Sequence, residues 1–177
     1  MARRAGEPVE VLLPEERVRA RVAELGAAIT RDYAGRALKL VGVLKGSFMF
    51  LADLARAVDL PVQVDFIGTS SYQGATTSGV VRITTDLSCP IAGEHVLLVE
   101  DIVDTGLTVR YLLDNLGTRG PASVGVCALL RKPARARLPV PVAYTGFEIP
   151  DAFVVGYGLD RDGRFRNLPY IGVVRTA

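Results

Sequence analysis

Apolar positions along this 177-residue chain recur in two alternating rhythms. After Pro14, the residues Val18, Val22, Leu25 and Ile29 keep the spacing of one helical face, so residues 15 to 33 read as an amphipathic helix. Residues 38 to 44 then read as a strand and 48 to 58 as a second helix. Two further strands, 62 to 71 and 80 to 85, flank a polar stretch, Tyr72-Gln-Gly-Ala-Thr-Thr-Ser-Gly. Four uninterrupted apolar residues, Val96 to Val99, have the pattern of a short strand buried on both faces. Leu112, Leu113 and Leu116 then place an apolar face on a following helix, and residues 123 to 130 and 153 to 158 supply the last strands. Strands alternating with helices predict an α/β fold built on a parallel, doubly wound sheet, with ligands at the carboxyl ends of its strands. No repeat or linker interrupts this pattern, so residues 1 to 177 read as one domain.

Composition narrows the classes. Hydrophobic residues make up 49% of the chain, enough for a sizeable core and too many for a disordered segment. No apolar run reaches the roughly 18 residues of a membrane span, and the start, Met-Ala-Arg-Arg-Ala-Gly-Glu-Pro, lacks the apolar centre of a signal peptide. A cytoplasmic protein without a membrane partner is expected. Cys89 and Cys127 are the only cysteines, too few for a disulfide framework or a zinc site. A net charge of +2 is too small to imply nucleic-acid binding, and the basic cluster from Arg131 to Arg137 reads as a solvated loop. Only three of the 21 basic residues are lysines: Lys39, Lys45 and Lys132. Where Arg so dominates, a lysine hints at a need for a compact ammonium.

Chemistry concentrates in residues 96 to 108, Val-Leu-Leu-Val-Glu-Asp-Ile-Val-Asp-Thr-Gly-Leu-Thr. Three carboxylates, Glu100, Asp101 and Asp104, precede the turn Thr105-Gly106-Leu107-Thr108 and a helix start. Backbone N–H groups in such a turn, the helix dipole and the Thr hydroxyls make a cradle for a phosphate. Acids beside it would repel a bare phosphate; they suit sugar hydroxyls, a metal ion or a proton in transit. The same tripeptide Asp104-Thr105-Gly106 occurs in aspartic proteases, but in an all-β setting, and a generic strand end could carry Glu100 and Asp101 as solvated acids.

This segment resembles the phosphoribosyl-diphosphate-binding motif of type I phosphoribosyltransferases, and its Glu-Asp-Ile-Val-Asp-Thr-Gly form resembles the 6-oxopurine (hypoxanthine-guanine) branch. The resemblance covers roughly residues 10 to 175. It implies a twisted parallel sheet flanked by helices, a small hood and a mobile lid. The implied reaction transfers a phosphoribosyl group from phosphoribosyl diphosphate to hypoxanthine or guanine, giving IMP or GMP and diphosphate, with Mg2+, in a homodimer or homotetramer. Thr105, Gly106, Leu107 and Thr108 would hold the 5′-phosphate. Glu100 and Asp101 would hold the ribose hydroxyls and one metal ion, and Asp104 would accept the purine proton as general base.

Other matches extend the implied site. Lys45, Gly46 and Ser47 would form a diphosphate-binding loop by their backbone N–H groups, after a peptide that is often cis in the family. Residues 70 to 79 would be the lid, with Ser71 and Tyr72 as its matching pair, excluding water from the electron-poor sugar carbon. Lys132 would donate to the 6-oxo group. In the run from Gly146 to Asp160, Phe153 would stack on the purine and the Val154 backbone would read its edge. Asp160 would bind a metal ion and Arg166 the diphosphate. Leu107 stands where some members carry Lys, and His95, the single histidine, matches no site and reads as surface or edge. A regulator sensing phosphoribosyl diphosphate and an enzyme preferring xanthine remain open alternatives.

Overall fold

The computed structural model describes residues 9–72 and 80–174. In chain order the elements are β1 (Val9–Leu13), α1 (Glu15–Asp32), β2 (Leu38–Leu44), α2 (Phe48–Ala57), β3 (Val62–Tyr72), β4 (Val80–Thr85), β5 (His95–Val103), α3 (Leu107–Gly117), β6 (Ser123–Arg131), a 3-10 turn at Pro133–Arg135, β7 (Tyr144–Glu148), β8 (Val154–Val155) and β9 (Ile171–Val174). Six strands form the main sheet in the order β4-β3-β2-β5-β6-β7. All its pairings are parallel except β3 with β4, so the expected parallel sheet carries one antiparallel edge strand.

The four-residue apolar run explains how the sheet is covered. Leu97 and Val99 point to the layer holding α1 and α2, where they join Val22, Ile29, Phe50 and Leu54. Val96 and Leu98 point to the opposite layer and pack with Val109, Leu112 and Leu116 of α3. Successive strand side chains face opposite sides, so a strand between two helical layers must be apolar at every position. All four are completely buried, and truncating Leu97 or Leu98 to Ala costs about 2–5 kcal/mol. At the crossing of α1 and α2, Gly26 lies so close to Ala57 that a Cβ would sit 2.5 Å from its carbonyl oxygen.

A second, three-stranded antiparallel sheet, β1-β9-β8, forms the hood. Its strands β1 and β9, like β7, are absent from the sequence-based reading. They are four or five residues long, too short for a legible period. The strand expected over residues 153 to 158 shrinks to Val154–Val155, because Gly156, Tyr157 and Gly158 all have positive φ (97°, 49° and 101°) and turn the chain. The strand expected at 96 to 99 lengthens instead, to His95–Val103, so the acid pair belongs to the strand. His95 is half-buried as its first residue, with Nδ1 2.7 Å from Ser123 Oγ and its ring against Tyr33. Most of the expected lid, residues 73–79, lies outside the described residues, which include only the backbone of Ser71 and Tyr72 at the end of β3. Among the described residues no helix is long and apolar enough to cross a membrane.

Candidate active site

Adjacent strands β2, β5 and β6 deliver three loops to one edge of the sheet. Strand order reverses between β2 and β5, and the helices that follow them, α2 and α3, pack on opposite faces. The crevice outside such a switch point is where open α/β sheets bind ligands. Here it gathers Lys45 and Gly46, the acids Glu100 and Asp101, and Lys132.

The turn before α3 opens onto a small cleft. Glu100, Asp104, Thr105, Gly106 and Thr108 line it, with a volume of about 70 Å3. Gly106 is the N-cap of α3, at φ 84°. A Cβ there would also come 2.7 Å from the Leu138 carbonyl oxygen, so glycine is required twice over. The helix has no side-chain cap from its N-cap residue and no acid in its first turn, a setting that favours an anion. Thr105 Oγ1 accepts the Leu107 N–H at 3.4 Å.

Close packing joins the acids to the β2–α2 loop. Gly46 lies so near Asp101 that a Cβ would fall 1.6 Å from Oδ2, and a Cβ on Gly158 would fall 2.0 Å from the Gly46 carbonyl oxygen. Three segments from distant parts of the chain therefore meet at Gly46. The Leu44–Lys45 peptide is cis. Ser47 is fully buried, and both its hydroxyl (2.7 Å) and its N–H (3.4 Å) donate to the Val43 carbonyl.

Glu100 is buried with Oε2 unpartnered among the described residues. Burial, reinforced by the neighbouring Asp101 charge, holds its carboxyl well above the ordinary carboxylate range. Burial likewise pushes Asp101 up to about 6, opposed by the Ile102 N–H that donates to Oδ1 at 2.7 Å. Asp160 and Arg166 also act on Asp101, with opposite signs. They face each other at 2.7 Å in a tight turn, where Asp160 also accepts the Gly163 N–H and Arg166 donates to the Gly158 carbonyl.

Lys132, which reads as a solvated lysine on residues alone, is buried; its Nζ lies 3.7 Å from Asp151 Oδ1. Its backbone N–H donates to the Val103 carbonyl, and the Arg137 and Leu138 N–H groups both donate to the Thr105 carbonyl. The loop after β6 is thereby strapped along the phosphate turn. Phe153 is 58% exposed, which removes the alternative of a core aromatic, and Val154 is buried in β8. The structure adds Arg135 and Asp151, neither singled out from the sequence. Arg135 Nε donates to Asp104 Oδ1 at 2.7 Å, and its Nη1 lies 3.6 Å from Asp151 Oδ2. The overlooked signal was Pro133, which starts a tight turn that brings the basic stretch back over Asp104.

A strand, a glycine turn and an uncapped helix start at the switch point of a doubly wound sheet, beside buried acids, define a class. Residues 9–162 match the model of the phosphoribosyl transferase domain, and the chain belongs to that family. Among its relatives, the hypoxanthine phosphoribosyltransferase of Haemophilus influenzae is 55% identical over 94% of this chain and 95% of its own length. The hypoxanthine-guanine phosphoribosyltransferase of Mycobacterium avium is 52% identical over 96% of this chain and 87% of its own. Among solved structures, a hypoxanthine phosphoribosyltransferase from Staphylococcus aureus superposes with a TM-score of 0.90 at 46% identity, covering 94% of this chain and 91% of that one.

Proposed function

We propose that the chain is a purine-salvage enzyme that transfers the 5-phosphoribosyl group of phosphoribosyl diphosphate to hypoxanthine or guanine, releasing IMP or GMP and diphosphate. The observation that carries this reading is the strap from Lys132 to Leu138. It keeps a buried ammonium and the Asp104 carboxylate beside one phosphate turn. A ring with an oxo group at one end and a labile N–H at the other meets both charges. The relatives' names favour an enzyme over a sugar-phosphate sensor.

In this reading the amides and hydroxyls of Thr105 to Thr108 hold the 5′-phosphate against α3. The Lys45 and Gly46 amides and Arg166 take the diphosphate. Glu100 and Asp101 bind the ribose hydroxyls and place negative charge where the sugar carbon becomes cationic. The carbon–oxygen bond to diphosphate breaks, the carbon–nitrogen bond to the purine forms, and the displaced ring proton passes to Asp104. Lys132 donates to the 6-oxo group while Phe153 covers the ring face and the Val154 backbone reads its edge. Ser71 and Tyr72 would close over the reactants.

The acids also fit Mg2+, a hard cation that takes oxygen ligands. Glu100 has a buried, unpartnered oxygen, and Asp101 and Asp160 supply further carboxylates. Among the described residues no three such side chains form a metal cage, so substrate oxygens and water would complete the shell. When bound, Mg2+ neutralises the leaving diphosphate. Val64 and Phe66, exposed on one face of β3, favour a homodimer or homotetramer. A spectrophotometric assay of hypoxanthine, guanine, xanthine and adenine with phosphoribosyl diphosphate and Mg2+ tests the reading. Turnover of the first two is expected, and no transfer to either overturns it.

A further inference from the structure

We propose that Arg135 is a positioning residue for purine transfer, holding Asp104 by one oxygen and linking it through Asp151 to Lys132. The proposal rests on Asp104 being the proton acceptor. Four side chains of alternating sign run in series. Asp104 Oδ1 meets Arg135 Nε at 2.7 Å, Arg135 Nη1 faces Asp151 Oδ2 at 3.6 Å, and Asp151 Oδ1 faces Lys132 Nζ at 3.7 Å.

Backbone geometry sets up this chain. Pro133 opens the 3-10 turn with its φ already fixed, and the Arg135 N–H donates to the Lys132 carbonyl at 3.1 Å. The bonds from Lys132 to Val103 and from Arg137 and Leu138 to Thr105 fasten that turn to the phosphate loop. Arg135 and Asp104 are thus held by one strap. Their side chains are 42% and 37% exposed, and ion pairs this open contribute little to stability. The pairing makes more sense as orientation.

Engaging Oδ1 fixes the carboxylate's rotation and leaves Oδ2 without a partner among the described residues. A group held this way meets its proton in a set geometry. The chain also solves a problem of sign. A carboxylate and an ammonium on two sides of one ring attract each other when the ring is absent. Giving Asp104 an arginine and Lys132 an aspartate keeps both available to the purine.

A double-mutant cycle with Arg135→Gln and Asp104→Asn tests this, after hypoxanthine turnover by the natural chain has established the underlying reading. Failure there refutes the function, not the pairing. Arg135→Gln is expected to lower kcat about 10- to 100-fold, to leave KM for phosphoribosyl diphosphate within about twofold, and to add nothing once Asp104 is Asn. Arg135→Lys should recover part of the loss. An unchanged kcat, or an equal loss in both backgrounds, overturns the proposal. Arg135→Met, which keeps the stem without the charge, decides through the same cycle if Arg135→Gln lowers the melting temperature.

Discussion

Replacing Gly46 with Ala adds one methyl group and should nearly silence the enzyme. No positive φ is involved, so the backbone accepts the change; the obstacle is space. The new Cβ would lie 1.6 Å from Asp101 Oδ2, 2.6 Å from its Cγ and 3.4 Å from its Cβ. Carbon and oxygen rest at about 3.4 Å or more, so Oδ2 must retreat about 1.8 Å. It cannot turn freely, because Oδ1 accepts the Ile102 N–H at 2.7 Å, and losing such a bond costs about 1–3 kcal/mol. Nor can the loop back away, since the Gly46 carbonyl already abuts Gly158. A displacement of about 1 Å in a positioned group costs about 100-fold in rate. The expected loss in kcat/KM for phosphoribosyl diphosphate is therefore about 100- to 1,000-fold. The check is initial-rate kinetics alongside thermal melting, with Gly117→Ala as control, since its Cβ would meet nothing within 4 Å. If Gly46→Ala melts like the natural chain and keeps kcat/KM within about threefold, the packing argument fails.

Asp104→Asn should lower kcat by about 100- to 10,000-fold while leaving sugar-phosphate binding intact, which single-turnover rates and calorimetric binding would separate. Lys132 meets only donors on the amino group of adenine, so adenine should be rejected about 1,000-fold or more; Lys132→Ala should narrow that gap, and equal use of both bases by the natural chain would sink the assignment. Asp101 titrates at about 6 instead of its ordinary 3.8, so folding favours its protonated form. Its contribution is present below about pH 4 and lost as pH rises through about 6, a difference of at most about 3 kcal/mol. In a chelator, Asp101→Asn should flatten the fall in melting temperature between those values; parallel curves for the two proteins would refute this.

The main sheet was legible in the chain because its signals are local. Val96 to Val99 must be apolar on both faces, and α1 and α3 repeat with a helix's period. The strand, turn and helix start over residues 95 to 117 were legible for a similar reason, because they are contiguous. Contacts between distant segments were not. Nothing near Lys132 in sequence announces that Asp151 shares its charge, or near Gly46 that Asp101 leaves no room for a methyl group. Likewise nothing near Ser47, whose donor role only the family resemblance implies, announces that the Val43 carbonyl accepts from both its hydroxyl and its N–H. The hood strands escaped because β1 and β9 gain their stability from pairing with each other, which no window along the chain can register.

That pairing sets a timetable for the newly made protein. Val9 is matched with Val174, so the hood joins the beginning of the described chain to its end. During synthesis the strands and helix around the phosphate turn emerge with their neighbours in order and can pack early. β1 waits, unpaired, until Ile171–Val174 leaves the ribosome, and β8 waits with it for β9 to dock between them. Phe153, Asp160 and Arg166 lie between those last strands or beside them. The half of the crevice assigned to the base and the leaving group is therefore finished last, and a chain interrupted before Ile171 keeps the turn before α3 without its hood.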